Sequence, residues 1–177
     1  FSEARDEQLV APLPQDRKLV YPWVGMEWIE DDFVTAPNQE QLARTEDLPF
    51  GRTLRAELGI AAPAWGADRT AAIAKAHGNA GKRLGEAQSI FFTADLSGRV
   101  QENGLSDTLL QGEARYYYRQ TPHALCFARA RGAVAERPDL DHQLLLGGDN
   151  GLRGYPLRYQ SGTASALVTV LALAPLG

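Results

Sequence analysis

The stretch "LLQGEARYYYRQ", residues 109–120, alternates between two kinds of side chain along its length. The even-numbered positions hold Leu110, Gly112, Ala114, Tyr116 and Tyr118, and the odd-numbered positions hold Gln111, Glu113, Arg115, Tyr117 and Arg119. Successive side chains of a β-strand point to opposite faces of the sheet. The pattern therefore predicts a strand with one apolar face and one charged face.

Two other stretches repeat this alternation, "GRTLRAELGIAAP" at residues 51–63 and "SIFFTADLSGR" at residues 89–99. Their apolar positions are again even-numbered: Leu54, Ala56, Leu58 and Ile60 in the first, and Ile90, Phe92, Ala94 and Leu96 in the second. A period of two residues over such lengths is typical of half-buried strands. We expect both even-numbered sets to lie on the same face of one sheet.

Weaker strand patterns and turn signals fill most of the remaining chain. Further strands fit at residues 19–33, 70–84, 123–135, 143–147 and 163–170, and hairpin turns fit at the Asn-Gly of "QENGLS" and the proline of "RQTPHA". The alanines of residues 70–84 would also suit a helix, but Gly78, Gly81 and the alternation of Ile73 with Lys75 and His77 favour a strand. The sequence predicts an all-β fold, an antiparallel meander of about seven or eight strands.

The length of these strands suggests a membrane environment. Strands of soluble sheets usually have about five or six residues, whereas a tilted strand that crosses a bilayer needs about 9 to 11. A wet lumen would accept the charged positions, namely Arg55, Glu57, Asp95, Glu113, Arg115, Arg119, Arg129 and Arg131. Candidates for aromatic girdles at the membrane interfaces are Trp23, Trp28, Trp65 and Tyr116, Tyr117 and Tyr118. A soluble β-sandwich with these aromatics in its core remains an alternative, because alternation alone does not separate the two folds.

Composition narrows the class of protein further. The 177 residues suit a single domain, which we divide into an irregular lead-in or loop at residues 1–16 and a sheet domain at residues 17–177. The net charge of −4 disfavours a nucleic-acid partner. The single cysteine, Cys126, excludes an internal disulfide, and no apolar run is long enough for a membrane-spanning helix. No signal peptide is visible, and the chain starts at Phe1 instead of a methionine, as expected for a processed chain or a fragment.

No residue pattern indicates catalysis. The histidines His77, His123 and His142 lack the spacing of metal ligands, and "DLDH" at residues 139–142 fits a solvated hairpin better than a cation site. Phosphate-loop and nucleophile-elbow motifs are missing, and Cys126 fits a buried small apolar residue. We therefore expect no enzyme activity, no cofactor and no metal.

A family resemblance rests on two segments of the chain. They are "GGDNGLRGYP" at residues 147–156 and "RTEDLPFGRTLRAELGIAAP" at residues 44–63. The first resembles the Arg-Gly-aromatic loop of the bacterial outer-membrane assembly and two-partner-secretion barrels, the BamA/TamA-like surface antigen superfamily. The second is similar to the strand entry of these proteins, with its acidic pair and Leu-Pro-aromatic-Gly turn. Since little more than one strand follows the loop before the sequence ends, the chain resembles the middle of a larger barrel in this superfamily.

The resemblance implies part of a transmembrane β-barrel in the outer membrane of Gram-negative bacteria. Its implied role is the insertion or translocation of proteins, with outer-membrane lipids and protein substrates as partners and no nucleic acid. In that superfamily the loop folds back into the lumen, which gives a latch formed by Gly151, Arg153, Gly154 and Tyr155. Arg153 would pair with Asp95 or Glu113 on the wall, and Tyr155 would pack on the inner wall. The alternatives are an exposed turn with a solvated arginine and, for the whole chain, a soluble secreted β-sandwich that binds, for example, carbohydrate.

Overall fold

A computed structural model describes residues 16–37, 45–121, 124–140, 142–152 and 154–173 of the chain. Within these ranges the regular structure is almost entirely β-strand, and a single turn of 3-10 helix at Pro63–Trp65 is the exception. The all-β prediction is confirmed. Nearly all of the predicted lead-in at residues 1–16 lies outside the described residues, as do His123 and Asp141.

Seven strands form one antiparallel sheet in the order β1-β4-β5-β6-β7-β8-β11. Their bounds are Trp23–Ile29 for β1, Arg52–Ala61 for β4, Ala71–Arg83 for β5, Gln88–Gln101 for β6, Gly104–Thr121 for β7, Ala124–Glu136 for β8 and Ala164–Leu173 for β11. Two small hairpins are inserted, β2 (Phe33–Pro37) with β3 (Thr45–Pro49) and β9 (Leu144–Leu146) with β10 (Gln160–Gly162). Among the described residues β1 and β11 do not pair with each other, so no closed barrel is seen.

The register confirms the predicted faces. Leu54 pairs with Gly78, Gly78 with Ala94, and Ala94 with Gly112. Directly opposed residues of an antiparallel pair point to the same side, so the even-numbered positions of β4 and β6 share a face. We call this the apolar face and the opposite side the polar face. The polar face carries all eight charged residues predicted for it, because each lies at an odd-numbered position in this register.

The connections between strands lie at two ends of the sheet. At the loop end are the β4–β5 connection with its 3-10 turn, the tight β6–β7 turn, and residues 137–163 between β8 and β11. The β6–β7 turn closes between Gln101 and Gly104, and Gly104 has a φ of 93°, which glycine adopts without steric cost. At the opposite end, the turn end, β5 connects to β6 and β7 to β8, and the β2–β3 hairpin extends between β1 and β4.

The polar face is covered at both ends by the chain itself. At the turn end Leu48 and Phe50, which end the β2–β3 hairpin, pack on Phe91, Tyr117 and Leu125. At the loop end a second cluster packs against the described segment before β1, residues 16–22, to which we extend the name lead-in from here on. The members of this cluster are Ala61, Ala67, Ala71 and Ile73 with Leu19 and Tyr21. The small buried clusters of this protein are thus formed where hairpin and lead-in cover the sheet.

Three expectations differ from the structure in detail. The strand expected at residues 19–33 is divided into β1 and β2, since the chain bends between them and the amide of Phe50 binds the carbonyl of Asp32. Tyr117 is not a girdle residue, because its odd-numbered position buries it on the polar face. Trp23 pairs with Gly59 and belongs to the polar-face rows, whereas Trp28 pairs with Leu54 on the apolar face.

Among the described residues no helix is both long and apolar enough to span a membrane. The alternative of a helix at residues 70–84 is excluded by β5, which pairs with β4 on one side and β6 on the other.

Candidate functional site: the long loop over the polar face

Residues 137–163, which we call the long loop, leave the sheet after β8 and return at β11. The β9–β10 pair inside this loop joins Leu146 to Gln160 and Leu144 to Gly162. The chain between β8 and β11 is therefore a long excursion that contains its own short strand pair, and the glycine-rich stretch lies between β9 and β10.

Asn150 organises the first part of this excursion. The backbone N–H of Gly147 donates to Asn150 Oδ1 at 2.7 Å, and Asn150 Nδ2 donates to the carbonyl of Leu145. The amide of Leu152 also donates to the carbonyl of Gly147 at 3.0 Å. The Asn150 side chain thus forms hydrogen bonds with a backbone N–H and a backbone carbonyl that would pair with a neighbouring strand in a regular sheet.

Gly151 lies close against the sheet. Its φ is 119°, a conformation that other residues rarely adopt. A Cβ atom at this position would lie 2.4 Å from Leu167 Cδ2 and 2.9 Å from Arg131 Nη2. Both neighbours are polar-face residues, since Leu167 pairs with Arg131 in the sheet. The expectation that the loop lies over the polar face is confirmed.

A cavity of about 360 Å³ separates the loop from the sheet. One wall of this cavity is formed by β9 and Asn150 of the loop, and the other wall is formed by residues of the sheet that include Asp95 and Glu113. The two carboxylates expected as partners of the latch therefore line the same cavity as the loop.

Both of these carboxylates already have partners on the sheet. Glu113 accepts hydrogen bonds from Arg129, with Nε at 2.8 Å, and Arg115 Nε lies 3.4 Å from it. Asp95 lies 2.6 Å from His77 Nδ1 and accepts a long hydrogen bond from Gln111. An added guanidinium would join these networks and would not meet an unpaired charge. Arg153 itself lies outside the described residues, so its pairing stays a prediction.

Tyr155 lies elsewhere than expected. Its side chain is 53% exposed and its ring packs on Tyr159, with centroids 5.2 Å apart. The preceding Gly154 has a φ of 90°, and the amide of Tyr155 closes a turn onto the carbonyl of Leu152. This turn directs the chain away from its approach at Gly151, so Tyr155 pairs with an aromatic of the loop instead of packing on the inner wall.

Two residues of "DLDH" at residues 139–142, the segment expected to form a solvated hairpin, belong to a second group of charged side chains that meets where the long loop begins. We call it the Asp139 cluster, and its members are Arg17, Arg99, Asp107, Asp139 and His142. Arg99 Nη2 donates to both carboxylate oxygens of Asp139 at 2.6 Å, and Arg17 Nη1 lies 2.7 Å from Asp139 Oδ2. Asp107 contacts Arg99 Nη1 at 3.3 Å and His142 Nδ1 at 2.9 Å.

A β-bulge places Asp107 in this cluster. The β6–β7 register shifts between Ser97 and Arg99, and Asp107 takes a positive φ of 48° opposite the shift. Bulges of this kind turn a side chain away from its regular direction. Arg99 is 8% exposed at its side chain and Asp139 is 16% exposed, so the pair is largely withdrawn from water.

Ligand atoms of Asp107, Asp139 and His142 lie within 4.8 Å of one another, close enough to hold a cation. Two guanidinium groups already neutralise these carboxylates, however, since Arg99 contacts both and Arg17 contacts Asp139. A divalent ion would have to displace these arginines from the carboxylates. We interpret the cluster as an ion-pair network and assign no metal to it.

Comparison of the chain with protein-family models, with curated proteins and with solved structures finds no significant match. What this chain does must therefore be argued from its two-faced sheet and the loop that covers its polar side.

Proposed function

We propose that this chain is part of an outer-membrane β-barrel of the BamA/TamA-like surface antigen superfamily, which inserts or translocates proteins in the bacterial outer membrane. The observation that carries the proposal is the apolar face. No polar side chain lies in the directly paired row Leu54, Gly78, Ala94, Gly112 and Gly132. Large side chains of the same face are well exposed, for example Phe92 at 49% and Leu110 at 54%.

The exposure of large side chains on this face favours lipid over a protein core. Val24 on β1 is 73% exposed and Val168 on β11 is 70% exposed, although both lie at apolar-face positions. A soluble β-sandwich packs a second sheet about 10 Å away over such a face. The described residues contain no such second layer, because both small hairpins pack on the polar side. The carbohydrate-binding sandwich is therefore the weaker alternative.

The polar face supports the second half of the proposal. A lumen of an outer-membrane barrel is polar and is often plugged by chain segments, and here the long loop and the β2–β3 hairpin both cover the charged side. The proposed mechanism involves no bond chemistry. It consists of a lumen, a loop that docks in it, and sheet edges that can pair with strands of a substrate protein by β-augmentation.

Fluorescence of Trp28 tests the membrane orientation. In a variant with Trp23 and Trp65 replaced by phenylalanine, reconstituted into vesicles of phosphatidylcholine with brominated acyl chains, we expect strong quenching of Trp28. Its side chain lies in the apolar-face row with Leu54. The matched variant that keeps only Trp23, in a polar-face row, should be quenched less. If each variant emits as strongly in brominated vesicles as in plain vesicles, neither tryptophan contacts lipid and the membrane proposal is excluded.

The latch is tested by Arg153→Ala. Because Asp95 and Glu113 keep partners on the sheet, the loss of loop docking should be about 1.5 to 3 kcal/mol, the value of a hydrogen bond to a charged group, and not the larger penalty of a bare buried charge. We expect impaired protein assembly or secretion in cells and faster cleavage of the loop by thermolysin. Arg153→Lys should restore part of both, since an ammonium lacks the planar fork.

Arg158→Ala is the control for the latch, since Arg158 is an exposed arginine of the same loop. It should leave assembly and loop cleavage unchanged. If Arg153→Ala behaves like Arg158→Ala in intact outer membranes, the loop is a surface turn and the latch does not exist.

A further inference from the structure

We infer that Asp139 couples the lead-in, residues 16–22, to the long loop, so that a movement of either segment changes the stability of the other. The inference stands on the Asp139 cluster and goes beyond the proposed function. It would hold for the folded chain even if the chain transported no protein.

Asp139 is bound from two separate parts of the chain at once. Its Oδ2 atom lies 2.6 Å from Arg99 Nη2 on β6 and 2.7 Å from Arg17 Nη1 on the lead-in. The Arg17 side chain is mostly covered as well. Ion pairs in such a covered position are screened less by solvent than surface pairs, and removing one partner of a buried pair is costly because the other charge stays behind.

On the side of the long loop, Asp139 is held in place because the first residues of this loop are hydrogen-bonded to β7. Asp139 follows β8 closely, and its backbone N–H donates to Asp107 Oδ1 at 3.2 Å. The amide of Asp107 in turn donates to the carbonyl of Arg137 at 2.8 Å. These two hydrogen bonds hold the first residues of the long loop against Asp107 of β7.

The lead-in side of the contact is fixed by the β4–β5 connection. The amide of Lys18 donates to Asp68 Oδ2 at 3.3 Å, and the amide of Asp68 donates to the carbonyl of Lys18 at 2.9 Å. Desolvation acts to raise the pKa of Asp68, but hydrogen bonds from Arg69 and Lys18 outweigh it, so the pKa of this carboxyl lies below its ordinary value. With the backbone held at Lys18, the Arg17 side chain has a defined position from which to reach Asp139.

Coupling between two segments is reciprocal, because a free energy of interaction belongs to the pair. Loss of the Arg17 contact should therefore loosen the long loop, and loss of the Asp139 carboxylate should loosen the lead-in. A loop anchored by Arg99 alone would respond only to the second change.

Hydrogen exchange followed by mass spectrometry on the full chain in detergent tests the inference. In Arg17→Gln we expect exchange at the loop amides of Gly148, Leu152 and Tyr155 to accelerate on the order of tenfold, the usual scale of such couplings. Asp139→Asn should accelerate exchange at these amides and also at residues 16–22, while Asp139→Glu should recover part of the protection.

Arg52→Gln is the matched control, because Arg52 forms an exposed ion pair with Glu30 at the turn end. It should leave exchange in the long loop and the lead-in unchanged. Wild-type protection of the loop in Arg17→Gln would overturn the coupling, as would acceleration spread evenly over β5 and β6, which would indicate general unfolding. Neither outcome depends on transport activity, so failure here is distinct from failure of the proposed function.

Discussion

Replacement of Phe91 by alanine is expected to destabilise the fold by about 3 to 5 kcal/mol, the range for loss of a large aromatic from a packed cluster. Phe91 is 5% exposed and lies between Phe50 and Tyr117, with ring centroids at 5.1 and 5.8 Å. Because Phe50 follows the β2–β3 hairpin directly, the cavity left by Phe91 would also weaken the docking of this hairpin on the polar face.

The next residue along the strand provides the control. Phe92 is 49% exposed on the apolar face, so Phe92→Ala removes the same ring from the other side of β6. Urea unfolding of both variants in the same detergent measures the difference. Phe91→Ala should lower the free energy of unfolding and expose the β2–β3 hairpin to protease, and Phe92→Ala should change both much less. Equal destabilisation by the two variants would mean that the hairpin does not depend on this cluster.

The two faces of the sheet could be predicted from sequence because a strand's side-chain period is local. In β6 and β7 the type of each residue and its odd or even position along the strand assign it to a face, without knowledge of which strands lie beside it. The observed register keeps the expected parity as far as the bulge between Ser97 and Arg99, beyond which Arg99 pairs with Ser106. The aromatic residues Phe91 and Tyr117 were exceptions within the charged rows. These two aromatic residues indicate that an apolar segment covers the polar face near them, but they do not identify the segment as the β2–β3 hairpin.

The covering segments could not be predicted because they depend on contacts between distant residues. Leu48 shares a buried cluster with Tyr117 and Leu125, which lie about 70 residues later in the sequence. The Asp139 cluster likewise joins residues as far apart as Arg17 and Asp139, and it requires the bulge that turns Asp107. No short sequence motif predicts the ion pairs of the Asp139 cluster, because each of its residues looks like an ordinary charged residue when considered alone.

The candidate site shows the same division. The position of the glycine-rich stretch between two strands was predictable, because the stretch follows one alternating segment and precedes another. Its place over the polar face was expected only from the resemblance to the barrel superfamily. The place of Tyr155 was not, since the turn at Gly154 is formed by a hydrogen bond within the loop and sends the ring toward Tyr159.

Replacement of Leu110 by arginine is expected to have a large effect in a membrane and a small one in water. Leu110 lies in the middle part of β7, pairs with Leu96 and Val134 on the apolar face, and is 54% exposed. An arginine on the lipid side of a barrel costs about 2 to 4 kcal/mol near the bilayer midplane. We therefore expect Leu110→Arg to lower the yield of folded chain in lipid vesicles, measured by heat-resistant migration in gel electrophoresis and by protease protection.

Gln111→Arg provides the opposite case at the neighbouring residue. Gln111 lies on the polar face beside Asp95, where an added guanidinium meets a carboxylate and water. This variant should insert like the unmodified chain. If the apolar face were an ordinary solvent-exposed surface, Leu110→Arg would change stability by no more than about 0.5 kcal/mol, as surface substitutions usually do. Equal insertion of the two variants would therefore remove the membrane from the proposed function, because the side of the sheet that carries the charge would then make no difference.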